Sequence, residues 1–172
     1  IYPSRKVVAF HSMEELEYML QKRNRNDITD FRINDDISGR PYQKMAITSV
    51  CERFNAKFRR SLLVMATGTG KTKTSMHIIA NYIQFSLHNK GIVIWIAHTT
   101  ELLEQAYNTF VDVWGHLGNK EINAYKLWGT QSIQDTSTEL NGIVFCGLSK
   151  IMSIYDSSPE LFERLKKDCR LI

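Results

Sequence analysis

The sequence predicts an α/β domain, with a mainly parallel sheet covered by helices on both faces. Three observations carry that expectation. From about residue 40 onward, short apolar runs rich in Val and Ile alternate with longer amphipathic ones, as strands buried on both sides alternate with crossover helices. One junction between two such runs holds a pair of glycines followed by Lys-Thr, the chemistry of a turn from strand into helix around a phosphate. A length of 172 residues, 43% of them hydrophobic and 23% charged, suits one globular core and excludes a fibre or a disordered tail.

Taken in order, Lys6 to Phe10 reads as a short strand, and Ser12-Met13-Glu14-Glu15 as a capping box opening a helix over residues 12–23. Residues 24–39 are polar and end in Asp35-Asp36 and Ser38-Gly39, a linker. Residues 1–39 are thus an N-terminal extension and linker, and residues 40–172 the main domain. Pro41 suits the first turn of a helix running to about Lys57, with Ala46 or Ile47, Val50 and Phe54 inward. Leu62 to Met65 reads as a strand, and Lys71 to Leu87 as a helix burying Met76, Ile79, Ile83 and Leu87. Ile92 to Ala97 is a β-branched strand, and a helix over residues 100–117 follows with Leu103, Ala106, Phe110 and Trp114 on its apolar face. Ile122 to Trp128 and Ile143 to Cys146 are further strands, and Ser158-Pro159 opens a helix through Lys167.

The net charge of +4 comes entirely from residues 1–60, and no block of lysine or arginine marks a binding stripe. A pI near 9.0 therefore permits a nucleic-acid partner without establishing one. The longest apolar run, Ile92 to Ala97, falls far short of the ~20 residues a membrane span needs. No signal-peptide pattern opens the chain, so a soluble, cytoplasmic protein is expected. Cys51, Cys146 and Cys169 are odd in number and lack CxxC spacing, which argues against a disulfide framework or a zinc site. His11, His77, His88, His98 and His116 are scattered and read as structural. Both ends look cut from something longer, since the chain opens without Met and closes on an apolar run.

The chemistry concentrates in Met65-Ala66-Thr67-Gly68-Thr69-Gly70-Lys71-Thr72. Glycines let backbone N–H groups turn inward around a polyphosphate, and the helix mouth adds a partial positive charge. Lys71 then reaches the terminal phosphates, and the Thr72 hydroxyl takes one position on Mg²⁺. The general pattern has glycine where Met65 stands. A side chain there is compatible with a strand end facing the core. The plain alternative is a glycine-rich turn that binds nothing.

Val64 to Thr72 resembles motif I of superfamily 2 helicases and translocases, in particular the motor subunits of type I and type III restriction enzymes, where methionine before Ala-Thr-Gly-Thr-Gly-Lys-Thr is common. The resemblance covers about residues 40–172 and implies a RecA-like domain that binds ATP and magnesium. Arg40-Pro41-Tyr42-Gln43 resembles the adenine-recognition motif of that superfamily, which implies that Gln43 offers one donor and one acceptor to adenine, with Arg40 packing on the base or bracing the loop. Ile94 to Gln105 resembles motif Ia, implying a nucleic-acid contact near Thr99 and Gln105. His98-Thr99-Thr100 replaces the proline or arginine usual there, so a plain helix cap is the competing reading. Ile143 to Ile151 falls at the next backbone-contacting loop, with Lys150 the expected contact.

The family continues with a strand ending in Asp-Glu-x-His, the Walker B motif that holds Mg²⁺, and this domain is expected to be truncated before it. The resemblance further implies double-stranded DNA, a second motor domain of the same parent chain and restriction-modification subunits as partners. Two readings stand beside it. A small-molecule or nucleotide kinase also uses a phosphate loop, yet residues 73–150 contain no arginine for a lid. The other is a nucleotide-binding fragment without turnover.

Overall fold

The structure, a computed structural model, describes residues 39–172 apart from 57, 59, 88, 89 and 134–139. The strand at residues 6–10, the helix at 12–23 and the linker before Gly39 lie outside the described residues. Helix α1, Pro41–Asn55, starts on Pro41, whose missing N–H is one the first turn cannot use anyway. It buries Ile47, Val50 and Cys51. Helix α2, Lys71–Phe85, turns Met76, Ile79 and Ile83 inward, and Leu87 is buried just beyond its end. Strand β1, Gly91–Ala97, leads into α3, Thr100–Leu117. Strands β2, Asn123–Leu127, and β3, Asn141–Gly147, come next. Helices α4, Leu148–Ser157, and α5, Pro159–Asp168, precede the short strand β4, Cys169–Leu171.

The four strands form one sheet in the order β2-β3-β1-β4, and every pairing is parallel. At its centre β1 and β3 pair in unbroken register from Gly91 opposite Asn141 to Ala97 opposite Gly147. Successive residues of a strand point to opposite faces, and here both faces are apolar. Val93, Ile143 and Phe145 face α1, α2 and α3, in one core cluster with Met76, Ile83 and Phe110. Ile92, Ile94, Val144 and Cys146 face the other way, clustered with Ile154 of α4 and Leu165 of α5. Phe145 makes edge-to-face contacts with Tyr107 and Phe110 of α3, a geometry favoured by the ring quadrupole. The buried Asp168 carboxylate accepts the Leu140 N–H at 2.8 Å, fastening the entry of β3 to the end of α5. No helix among the described residues is long and apolar enough to cross a membrane.

Three expectations need correction. Leu62 to Met65 is not a strand: residues 60–66 run outside the sheet, with Leu62 and Val64 exposed. A strand needs a paired backbone beside it. Both edges of β1 are taken by β3 and β4, and β4, three residues long, offers a short ladder. Leu148–Ser157 is helix α4, where the resemblance implies a backbone-contacting loop through Ile151 and the sequence reading assigns no element to residues 152–157. Cys169–Leu171, read only as an apolar end, is strand β4.

His77 sits one turn into the buried side of α2, 5% exposed, and neither ring nitrogen finds a hydrogen-bond partner among the described residues. Burial pushes its pKa below 6.5, and the charge of Lys73 pushes the same way, against a smaller opposing pull from Asp112. Between the lowered native value and 6.5, the unfolded chain takes up a proton that the folded one refuses. Stability is therefore expected to fall as pH drops below about 6.5. Thermal unfolding midpoints from pH 7.5 to 5.5 should decline less steeply in His77→Leu, and an identical slope in the two proteins would remove this assignment.

Candidate nucleotide-binding site

At the mouth of α2 the chain makes the turn that its glycines allow. Gly68 and Gly70 have φ values of +78° and +84°, in the left-handed region that side chains with a Cβ disfavour. Gly70 is the N-cap of α2, so the helix begins directly from that conformation with Lys71. Inside the loop the Thr69 hydroxyl donates to the Ala66 carbonyl at 2.6 Å, while the Thr69 N–H reaches the same oxygen at 3.4 Å. The Lys71 ammonium folds back over the loop and donates to the carbonyls of Met65 and Ala66, at 3.3 and 3.1 Å. Thr67 is exposed at the turn and Thr72 half-buried in the first turn of the helix.

The start of α1 is pinned to this loop. Gln43, buried at the third position of α1, donates through Nε2 to the Thr69 carbonyl at 3.0 Å. Its Oε1 accepts the Arg40 N–H at 2.9 Å, which satisfies one orphan donor at the helix start. The Tyr42 hydroxyl donates to the same Thr69 carbonyl at 3.1 Å and accepts from the Arg40 guanidinium at 3.2 Å. A Cβ on Gly70 would stand 2.5 Å from Gln43 Nε2, so the absence of a side chain there lets the amide come in. Between the two elements lies a cavity of about 440 Å³ lined by Gly39, Arg40, Gln43, Gly68, Thr69, Gly70 and Lys73.

The structure thus brings together Arg40, Gln43 and the loop from Thr67 to Thr72, as the sequence reading expects. It also engages both ends of the Gln43 amide within the protein, so reading a base requires exchanging at least one of those bonds. Tyr42 and Lys73 are the additions that sequence reasoning missed. Tyr42 stands inside the quoted Arg-Pro-Tyr-Gln motif and Lys73 follows the Lys-Thr pair, which are the signals that were available.

The residues expected to touch nucleic acid are not gathered in the same way. Thr99 is the N-cap of α3, its hydroxyl accepting the Leu102 N–H at 3.3 Å, which is the plain helix-cap reading. Gln105 is exposed on α3. Lys150 lies in the first turn of α4 rather than in a loop, and its ammonium donates to the Gly129 carbonyl at 3.1 Å. Thr99 and Lys150 nonetheless follow the carboxyl ends of adjacent strands, since Ala97 pairs with Gly147. Among the described residues no group of three or more His, Cys, Asp or Glu side chains is placed to hold a metal ion.

A parallel sheet covered on both faces, with a left-handed glycine loop opening a helix beside it, defines a phosphate-loop α/β domain of the RecA-like class. The chain belongs to the family described as type III restriction enzyme, res subunit, whose model matches residues 36–172, a helicase-like domain. It is 40% identical over 77 residues to the type I restriction enzyme EcoAI endonuclease subunit of Escherichia coli, a stretch covering 43% of this chain and 9% of that subunit. Its fold is similar to that of a nuclease-deletion mutant of the type ISP restriction-modification enzyme LlaGI, solved in complex with a DNA substrate mimic. That match has a TM-score of 0.51 at 19% identity and covers 72% of this chain and 14% of the other. The chain therefore spans a small part of each relative's length.

The two loop glycines are separable by experiment. Nothing lies within 4 Å of a Cβ on Gly68, so Gly68→Ala meets conformational strain alone, about 1–2 kcal/mol. Gly70→Ala meets the same strain and also displaces the Gln43 amide from Thr69, adding about 0.5–1.5 kcal/mol. In a Gln43→Ala background, urea unfolding should show the Gly70→Ala cost falling back to that of Gly68→Ala. Equal costs in the two backgrounds would mean that the amide does not depend on Gly70.

Proposed function

We propose that this chain is the ATP-binding motor domain of a DNA-dependent ATPase, a translocase of the kind that powers restriction enzymes. The observation that carries this reading is the cavity in which the Gln43 amide, latched to Thr69, faces the left-handed loop at the mouth of α2. The residues present fit an adenine nucleotide. Gly68 and Gly70 put no side chain of their own over the loop backbone, the start of α2 favours negative charge, and Lys71 sits directly after them. Lys71 then exchanges two neutral carbonyl partners for charged phosphate oxygens, which make stronger hydrogen bonds. Gln43 exchanges Thr69 for the base, while Tyr42 still satisfies the Thr69 carbonyl.

Magnesium fits the half-buried Thr72 hydroxyl beside Lys71, and when bound it neutralises charge on the phosphates. Arg40, which lines the cavity and is hydrogen-bonded to Tyr42, is proposed to pack on the base or brace the loop. The DNA partner is carried over from the LlaGI complex and the restriction-enzyme family. Thr99, Gln105 and Lys150 are the side chains proposed to meet its backbone, and duplex DNA, a second motor domain and restriction-modification subunits are the proposed partners in the whole protein. Hydrolysis would then move the two motor domains relative to one another along the duplex.

Lys71→Ala in the full-length protein is expected to abolish ATP hydrolysis without lowering the thermal midpoint, because its ammonium is exposed and bonds only within the loop. Hydrolysis at the unsubstituted rate would overturn the assignment. Gln43→Ala should weaken ATP more than GTP, since the amide it removes is the group that exchanges Thr69 for the base. Its preference for ATP over GTP should shrink by about 1–3 kcal/mol, the usual cost of unpaired polar groups. An unchanged ratio in paired affinity measurements would reduce Gln43 to a helix cap and loop latch.

A further inference from the structure

We infer that Lys73 is a second phosphate-binding cation of this site, holding the α-phosphate of a bound nucleotide, the one nearest the sugar. The inference rests on the nucleotide reading of the cavity and adds to it a residue outside the Thr67–Thr72 loop. Lys71 and Lys73 both lie in the first turn of α2, which contains no acidic residue. Two ammonium groups at the positive end of a helix dipole are unfavourable on their own, and a bound anion reverses the sign of that interaction.

At 3.6 residues per turn, side chains two apart project to nearly opposite sides of a helix. Lys71 turns back over the carbonyls of Met65 and Ala66. Lys73 instead lines the cavity together with Gln43 and the loop glycines, a cavity that Lys71 does not line. Its side chain is exposed, and among the described residues it makes no ion pair and no hydrogen bond. Its charge is felt on His77, one turn along the same face, where it adds to the downward push of burial. A nucleotide whose base meets Gln43 and whose terminal phosphates meet Lys71 has its first phosphate between the two, and Lys73 is the lysine that lines the cavity with Gln43.

The two lysines should then leave different signatures in calorimetric titrations with ATP, ADP, AMP and adenosine. Lys73→Gln is expected to weaken ATP, ADP and AMP alike, by about tenfold, the scale of one hydrogen bond to a charged group, with adenosine unchanged. Lys71→Gln should weaken ATP and ADP and spare AMP. Lys73→Arg, which keeps the charge and the reach, should restore most of the loss. If the unsubstituted chain binds nucleotide and Lys73→Gln binds all four compounds equally well, the inference is overturned and the site stands without it. If the unsubstituted chain binds none of the four, the nucleotide reading of the cavity fails, and this assignment with it.

Discussion

The parallel ladder between β1 and β3 is the constraint from which the rest of the fold follows. Seven consecutive residues of each strand pair without a break, and side chains on both faces are apolar. A strand pair of that composition cannot leave either face to water, so helices must cover both. Parallel pairing also forbids a tight hairpin, so each connection must travel back to the opposite end of the sheet. Helix α3 makes the return from β1 to β2, and α4 with α5 the return from β3 to β4, while α1 and α2, which precede β1, complete the cover of one face. The packing of Phe145 against Tyr107 and Phe110 and that of Cys146 among Ile154 and Leu165 are two sides of one requirement.

The loop before α2 depends on a different and more local device. Its backbone is held by the Thr69 carbonyl, which takes hydrogen bonds from Tyr42 and Gln43, residues 27 and 26 positions earlier. Gln43 is committed at its other end to the start of α1. The shape of the loop is thus a tertiary property as well as a matter of glycine. Helix α1 in turn is anchored by Ile47, Val50 and Cys51 in the same cluster as Met76 and Ile79 of α2. The two partners that form the cavity cannot separate without opening that core.

Much of this was legible in the sequence wherever periodicity and a local stop signal agreed. Helix α3 runs over residues 100–117 as read, because a strong apolar stripe coincides with the Thr99 cap and with Gly118 at its end. Arg40, Gln43 and the glycine loop came together as expected because a motif of small and charged residues has few structural alternatives. Leu62 to Met65 is the counterexample: its residues have the composition of a strand, but strand formation depends on a neighbour's backbone, which composition does not encode. Helix α4 carries its signal in Leu148, Ile151, Met152 and Tyr155 at helical spacing, which the loop implied by the resemblance obscures. The bonds of Lys150 to Gly129 and of Tyr42 to Thr69 link residues 21 and 27 positions apart, and nothing in residue type announces such pairs.

The buried thiols give the molecule built-in reporters of its own opening. Cys51 lies on α1 and Cys146 on β3, at 1% and 0% exposure. Burial pushes their pKa values up to about 12 and about 11, with Glu52 adding to the first and Lys150 slightly opposing the second. Only the thiolate is nucleophilic, so an alkylating reagent meets both an inaccessible sulfur and a protonated one. Their labelling rates consequently measure how often each neighbourhood opens, not how reactive a thiol is. Cys51 times the loosening of the helix that carries Gln43, and Cys146 times the parting of the central ladder.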